Sequence, residues 1–468
     1  MKRYNLLGLV TQIRYTLYGA AVIVACTACE NFVDIPGPAA ELPANVVYED
    51  VATADAALAH IYSSLQSKAL VTGSGSGMGI LMGAYSDELI SYSNYGLPEE
   101  KFFTNNLQAN DATVASIWAD SYNLVYASNA ILEGTQASQT LQQDDKDRLQ
   151  GEALFLRSYI YSYLVQLFGD IPYVTTTDYT VNMSLAKLPV AVIYSRLIDD
   201  LAAAEGLLGE SYTGNGRVRP NKYTAAALLA RVCLNAGEYE LASEKASQVI
   251  NNTALFSLSA DLNEVFLIDS PGTIWQLMPA AANLNTLEGQ NYIFSSGPPS
   301  TRALSQSLID SFEPGDLRLV HWVGSVTEGG EQWYYPFKYK QSEPTEASLE
   351  YSVQLRLEEM YLVRAEARIR TGDLIGAKED LNAIRERAGL DPTDADGTTS
   401  LLDAILQERR VELFSELGHR FFDLKRLGAA NAVLSMQKPG WNEFDISLPL
   451  PERELRLNPN LLPQNTGY

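Results

Sequence analysis

The sequence predicts an all-α-dominated protein, built of paired helices and interrupted by a loop-rich insert that contains short strands. Three observations carry this. Apolar residues recur at three- and four-residue steps over several long stretches, as one face of a helix requires. Two stretches far apart share a helix–glycine–helix pattern. Between them lies a segment rich in aromatics and prolines that holds no helical period. The 468 residues carry 34 Lys+Arg against 57 Asp+Glu, a formal charge of −23. Phosphate backbones reward clustered cations, so nucleic-acid binding is excluded as a general role.

Residues 1–28 contain Lys2, Arg3 and Arg14 and no acid, followed by an apolar run from Tyr15 to Ala25. That is the pattern of a secretory signal, and the run is too short for a span, which needs ~20 residues. It ends in Ala25-Cys26-Thr27-Ala28-Cys29, and a cysteine directly after such a run looks like a bacterial lipoprotein cleavage site. Cys26 has the better aliphatic residue three positions before it, and Cys29 has a small residue immediately before it; spacing alone leaves both open. Loss of residues 1–28 removes three cations and no acid and takes the formal charge to −26. Cys233 is then a lone small residue of the core. Residues 29–47, with Pro36, Pro38 and Pro43, suit a tether.

From Thr53 to Leu70, Ala54, Ala57, Leu58, Ile61 and Leu65 mark a helix. The run Gly73 to Gly79 fails the G-x-G-x-x-G spacing and lacks a Gly-Lys-Ser/Thr ending, so it reads as a flexible loop and not as a phosphate cradle. Helices are expected over 148–168, stopped by Gly169 and Pro172, and over 190–208. Leu229-Ala230 precede Gly237-Glu238-Tyr239 and Ala242, and Tyr361 and Ala365 precede Gly372-Asp373-Leu374 and Ala377. Both match the tetratricopeptide unit, in which small residues let two helices approach and glycine releases the first into the turn. The two glycines lie 135 residues apart, beyond one ~34-residue repeat, so an insert separates them. Residues 260–345 are that insert, with Trp275, Tyr292, Phe294, Trp322, Trp333, Tyr334, Tyr335 and Tyr339; residues 84–103 form a second irregular aromatic segment.

Several long motifs, in order, resemble the SusD/RagB outer-membrane nutrient-uptake lipoproteins of Bacteroidetes. Cys29-Glu30-Asn31-Phe32-Val33-Asp34 is similar to that family's acylated cysteine and its following stretch, which favours Cys29 over Cys26 as the lipid anchor. Trp118, Tyr122, Asn129 and Leu132 fit its Trp-x-x-x-Tyr helix, and Gly151-Glu152-Ala153 through Phe168-Gly169-Asp170-Ile171-Pro172 fits its G-E-A…F-G-D-x-P segment. Arg356 to Ala367, Glu408-Arg409-Arg410 with Glu412, and Gly418-His419-Arg420-Phe421-Phe422-Asp423-Leu424-Lys425-Arg426 resemble its C-terminal signatures, as do Leu448-Pro449-Leu450-Pro451 and the closing Gln464 to Tyr468.

The resemblance implies about four tetratricopeptide-like units against a loop-rich ligand-binding half, which divides the chain into 1–28 signal peptide, 29–47 tether, an N-terminal half 48–258 and a C-terminal half 259–468. It implies a lipid-anchored protein on the outer face of the outer membrane that is no enzyme. Such a protein binds an oligo- or polysaccharide, or a peptide in the RagB branch, and serves as lid of a SusC-type TonB-dependent barrel. It places the ligand site in residues 85–103 and 270–325. Aromatic faces can stack on the C–H faces of sugars while Asp and Asn bond the hydroxyls, so the candidates are Asp87, Tyr92, Asn94, Tyr95, Trp275, Tyr292 and Trp322. No catalytic residue is expected: His419 has no nucleophile elbow near it, and it reads as a buried, hydrogen-bonded residue, with Arg409, Arg410, Glu412 and Asp423 as an ion-pair network. Trp118 reads as core. No cofactor is expected; no D-x-[DN]-x-[DN]-G loop appears, though the many carboxylates leave calcium open.

Overall fold

The computed structural model describes residues 44–468. The signal segment, Cys26, Cys29 and the tether up to residue 43 lie outside the described residues. Two compact units divide at residue 47: the first is described only by the helix Ala44–Val47, and Tyr48–Tyr468 holds all that follows. Among the described residues no helix is long and apolar enough to cross a membrane.

The second unit is organised by eight helices, each packed on the next: Ala112–Ala137, Gln143–Phe168, Val190–Leu207, Lys222–Ala236, Tyr239–Ile250, Leu357–Thr371, Leu374–Arg387 and Thr398–Glu412. Helices 239–250 and 357–371 touch although the insert separates them, so the two repeat signatures are neighbours in space. The boundary drawn at 258/259 falls inside this one compact unit. Gly237 (φ +83°) and Gly372 (φ +93°) end their helices in the left-handed conformation, which costs glycine nothing and lets the following helix fold back. Helix 143–168 starts earlier than its apolar period, because Asp144 and Asp145 favour a helix N-terminus. Val51–Ser67 packs on helices 112–137 and 143–168, its first turn capped by Asp50.

One expected loop is shorter than read. Met78–Tyr85 is a helix, buried on nearly every side. Its sequence, MGILMGAY, is apolar all round and so carries no amphipathic signal.

The insert contributes strands to three two-stranded antiparallel sheets and adds short helices. Strand Leu89–Ser91 pairs with Arg302–Leu304, and Thr273–Leu277 pairs with Ser352–Arg356. Val323–Glu328 and Glu331–Pro336 make a hairpin whose two turn residues, Gly329 and Gly330, both have positive φ, as a two-residue turn of matching twist requires.

Buried charge joins insert to array. Glu412 accepts from Arg318 at 2.9 Å, Arg387 at 2.6 Å and Arg356. Burial alone would raise its pKa, but the three guanidiniums hold it well below the carboxylate range. Arg409 pairs with Asp423 at 2.7 Å, and Arg426 bridges Asp423 and Glu366. Of the four residues expected to form one network, only Arg409 and Asp423 pair with each other; Glu412 is held by arginines of other elements and Arg410 pairs with Asp87. His419 is buried, its imidazole pushed down to about 4 by burial. Its ring makes no hydrogen bond with the described residues, a departure from the bonded histidine expected.

Candidate functional site

Strand 89–91 runs into the loop 92–97 and then into the short helix Pro98–Phe103, begun by a proline that needs no N–H partner. The loop is held from both ends. The Tyr92 N–H donates to Thr301 O at 2.6 Å, and the Gly96 N–H donates to Glu100 Oε2 at 2.9 Å. Beneath it, Arg302 donates to both oxygens of Glu99 at 2.9 and 2.7 Å, in a buried bidentate pair that clamps helix 98–103 to strand 302–304. On this base Tyr92 is 38% exposed and Tyr95 90% exposed, with Asn94 exposed between them. The two hydroxyls and the Asn94 amide make no hydrogen bond within the described residues.

A second wall stands beside this loop. Residues 294–301 lead into strand 302–304, which packs against strand 331–336 of the hairpin. Trp333 packs against Gly297, where a β-carbon would come within 2.2 Å of the indole. Phe294 meets Tyr335 with ring centroids 4.9 Å apart, and the Gly297 N–H donates to Glu328 Oε2 at 2.9 Å. Ser295, Ser296, Ser300 and Thr301 are exposed along this wall, with side chains free of protein partners among the described residues. The arrangement offers flat aromatic faces next to uncommitted hydroxyl and amide groups.

Four of the seven candidates lie elsewhere, inside the protein, and their expected role is corrected accordingly. Trp275 has no exposed surface; it sits edge-on to Phe155 and Tyr159, each at 4.9 Å, and donates to Val218 O. Trp322 is equally buried, donating to Leu262 O at 2.9 Å and packed on Phe266 at 5.6 Å. The Tyr292 hydroxyl donates to Ser415 O across the core. Asp87 is buried between Arg410 and Arg420, accepting from them at 2.8 to 2.9 Å. Burial would raise its pKa, but these guanidiniums hold it below its ordinary value. A ring or carboxylate so enclosed has no face left for a ligand. The next residue, Glu88, goes the other way, pushed up to about 8 by burial and by the charge of Asp87.

Phe294 and Tyr335, both half-buried, line this wall over the buried Trp333 and are not among the candidates, though their segment stands out for its aromatics. Which rings reach the surface depends on strand alternation and on glycines opposite them, a pairing that becomes visible only with the hairpin register.

A separate groove of about 530 Å³ lies between helix 112–137, the short helix Tyr179–Asn182 and the C-terminal helix Glu452–Leu457; Tyr126, Tyr179, Met183 and Leu457 form its exposed rim. Trp118, at its floor, is 4% exposed and stacked edge-on against Phe168, a core position as expected. Among the described residues no three His, Cys, Asp or Glu side chains are grouped to hold a metal ion.

Comparison with known proteins gives a consistent family. Residues 80–234 match the family model described as starch-binding associating with outer membrane, and residues 319–468 match the SusD family model. The chain is 28% identical over 448 residues to SusD-like protein P2 of Formosa agariphila, covering 81% of this chain and 86% of that protein. Among solved structures it resembles a SusD superfamily protein of Bacteroides vulgatus, with TM-score 0.79, 21% identity, and 90% of this chain and 100% of that one covered. It also resembles a laminarin-binding SusD-like protein, with TM-score 0.75, 22% identity, and the same shares covered.

Proposed function

The chain belongs to the SusD/RagB family, and from that premise we propose that it is a cell-surface lipoprotein that binds an oligo- or polysaccharide. It is anchored in the outer membrane by acylated Cys29 and delivers its ligand to a SusC-type TonB-dependent barrel, over which it closes as a lid. A ligand held between lid and barrel favours the closed state because both partners contact it. The proposed role is binding without turnover: His419 is enclosed in the core, and Asp423 and Glu412 of the same motifs are held in ion pairs.

The observation that carries this reading is the loop 92–97, where exposed Tyr92 and Tyr95 flank Asn94 beside the wall of Phe294, Tyr335 and free serine hydroxyls. Aromatic rings give contact area at small entropic cost, and the free polar groups match a sugar's hydroxyls. A glycan array followed by calorimetry on the purified protein tests it. Binding of at least one oligosaccharide at micromolar to millimolar affinity is expected; binding of peptides with no glycan bound would overturn it.

The second reading keeps the architecture with a peptide as cargo. It is favoured by the exposed carboxylates of Glu328 and Glu331 at the hairpin tip, which would attract basic peptides. Such binding would weaken steeply with salt, whereas sugar binding would not.

A further inference from the structure

The charges around the tyrosine loop are one-sided. Glu328 is exposed and accepts from the Gly297 N–H at 2.9 Å, which fixes its carboxylate on the 294–301 segment, whose Thr301 carbonyl accepts from the Tyr92 N–H. Glu331 is its cross-strand partner at the hairpin end, also exposed. On the other side Glu100 accepts from the Gly96 N–H, one residue past Tyr95.

No cation of these elements is left to balance them among the described residues. Arg302 is buried against Glu99, and Lys101 is bonded to Asp111 at 2.7 Å. Arg410 and Arg420 share Asp87, and the Lys340 ammonium donates to the carbonyls of His321 and Phe337.

We propose that Glu100, Glu328 and Glu331 make this a site for neutral glycans, excluding polysaccharides that carry carboxylate or sulfate groups. The proposal rests on the glycan reading above. Each carboxylate about 8 Å from a like charge on the ligand lowers affinity roughly twofold to threefold in a water-like medium. The three together lower it about tenfold to twentyfold at low ionic strength, and less where salt screens them. Neutral hydroxyls meet no such opposition, and carboxylate oxygens can accept from them.

Affinity gel electrophoresis of the purified protein tests this with neutral gels (laminarin, starch, xyloglucan, galactomannan) and anionic ones (alginate, polygalacturonate, dextran sulfate). Each is run at about 20 and about 500 mM salt, on either side of effective screening. Retardation by a neutral glycan, equal at both salts, and by no anionic glycan at low salt is expected. The triple variant Glu100→Gln, Glu328→Gln, Glu331→Gln gains about tenfold in affinity for an anionic glycan at low salt, and Glu331→Gln alone, at the exposed tip, gains about twofold. Low-salt retardation of the parent protein by an anionic glycan that fades as salt rises overturns the proposal and leaves the glycan reading standing. Variants that fold like the parent and gain nothing overturn the role given to these residues. Retardation by none of the gels overturns the glycan reading itself.

Discussion

Replacing Tyr95 by alanine removes a ring that is 90% exposed, whereas replacing Trp322 removes one with no exposed surface. The two substitutions therefore separate ligand contact from core packing. A stacked sugar covers one face of the tyrosine, roughly a quarter to a third of the ~200 Å² an aromatic side chain can bury, so about 50–60 Å². At ~25 cal/mol per Å² that is about 1.3 kcal/mol, or roughly tenfold in Kd. Stability should stay within about 0.5 kcal/mol of the parent, since the ring packs on little. Trp322→Ala should behave in the opposite way. It opens a cavity beside Phe266, at a cost of about 3–5 kcal/mol, and leaves Leu262 O without its 2.9 Å indole donor. The assay is urea unfolding of both variants beside retardation in a gel of whichever polysaccharide retards the parent. A Trp322→Ala protein of unchanged stability that no longer binds, together with a Tyr95→Ala protein that binds like the parent, would refute the assignment of these two rings.

Other expectations follow from the same structure. Glu412→Gln leaves Arg318, Arg356 and Arg387 facing a neutral amide in the core, and chemical denaturation should show a loss of about 3–5 kcal/mol. Gly372→Ala meets no atom within 4 Å among the described residues beyond its chain neighbours, so at φ +93° it isolates the backbone penalty of the cap, about 1–2 kcal/mol by unfolding titration. Glu88 has a folded pKa of about 8, above its ordinary 4.5. The native state thus keeps a proton that the unfolded chain has released, and the parent loses stability as pH rises from about 4.5 to about 8. Subtracting Glu88→Gln from the parent at pH values across this window should show that loss, up to about 4 kcal/mol. A flat difference would mean that Glu88 is not held protonated.

What could be read in the sequence was decided by how local each signal is. Helix 190–207 has one polar face and one buried face, so its period is visible without a partner, and helix 143–168, buried on nearly every side from residue 151 on, is marked by its length and by its stop at Gly169. Gly237 and Gly372 mark their turns because the left-handed cap is a requirement of the residue itself. Met78–Tyr85 has no polar face and left no pattern. At the site, the two irregular aromatic segments were recognisable by composition, and strand 89–91 does lie against strand 302–304. Individual rings were not. Trp275 and Tyr95 are both aromatics in irregular stretches, but the first is enclosed by Phe155 and Tyr159 from a helix more than 100 residues away, and the second has no neighbour to cover it. Asp87 likewise looks like any loop carboxylate until Arg410 and Arg420 arrive from the C-terminal helices. Burial of this kind is a property of tertiary contacts, and the single sequence holds no trace of it.

The most direct test of the central claim is a crystal structure of the purified protein with the oligosaccharide that binds it best in solution. A sugar ring is expected against Tyr95 or Tyr92, with hydroxyls bonded to Asn94 and to the serines of the 294–301 wall. Sugar density in the groove rimmed by Tyr126 and Tyr179, with the tyrosine loop empty, would contradict it.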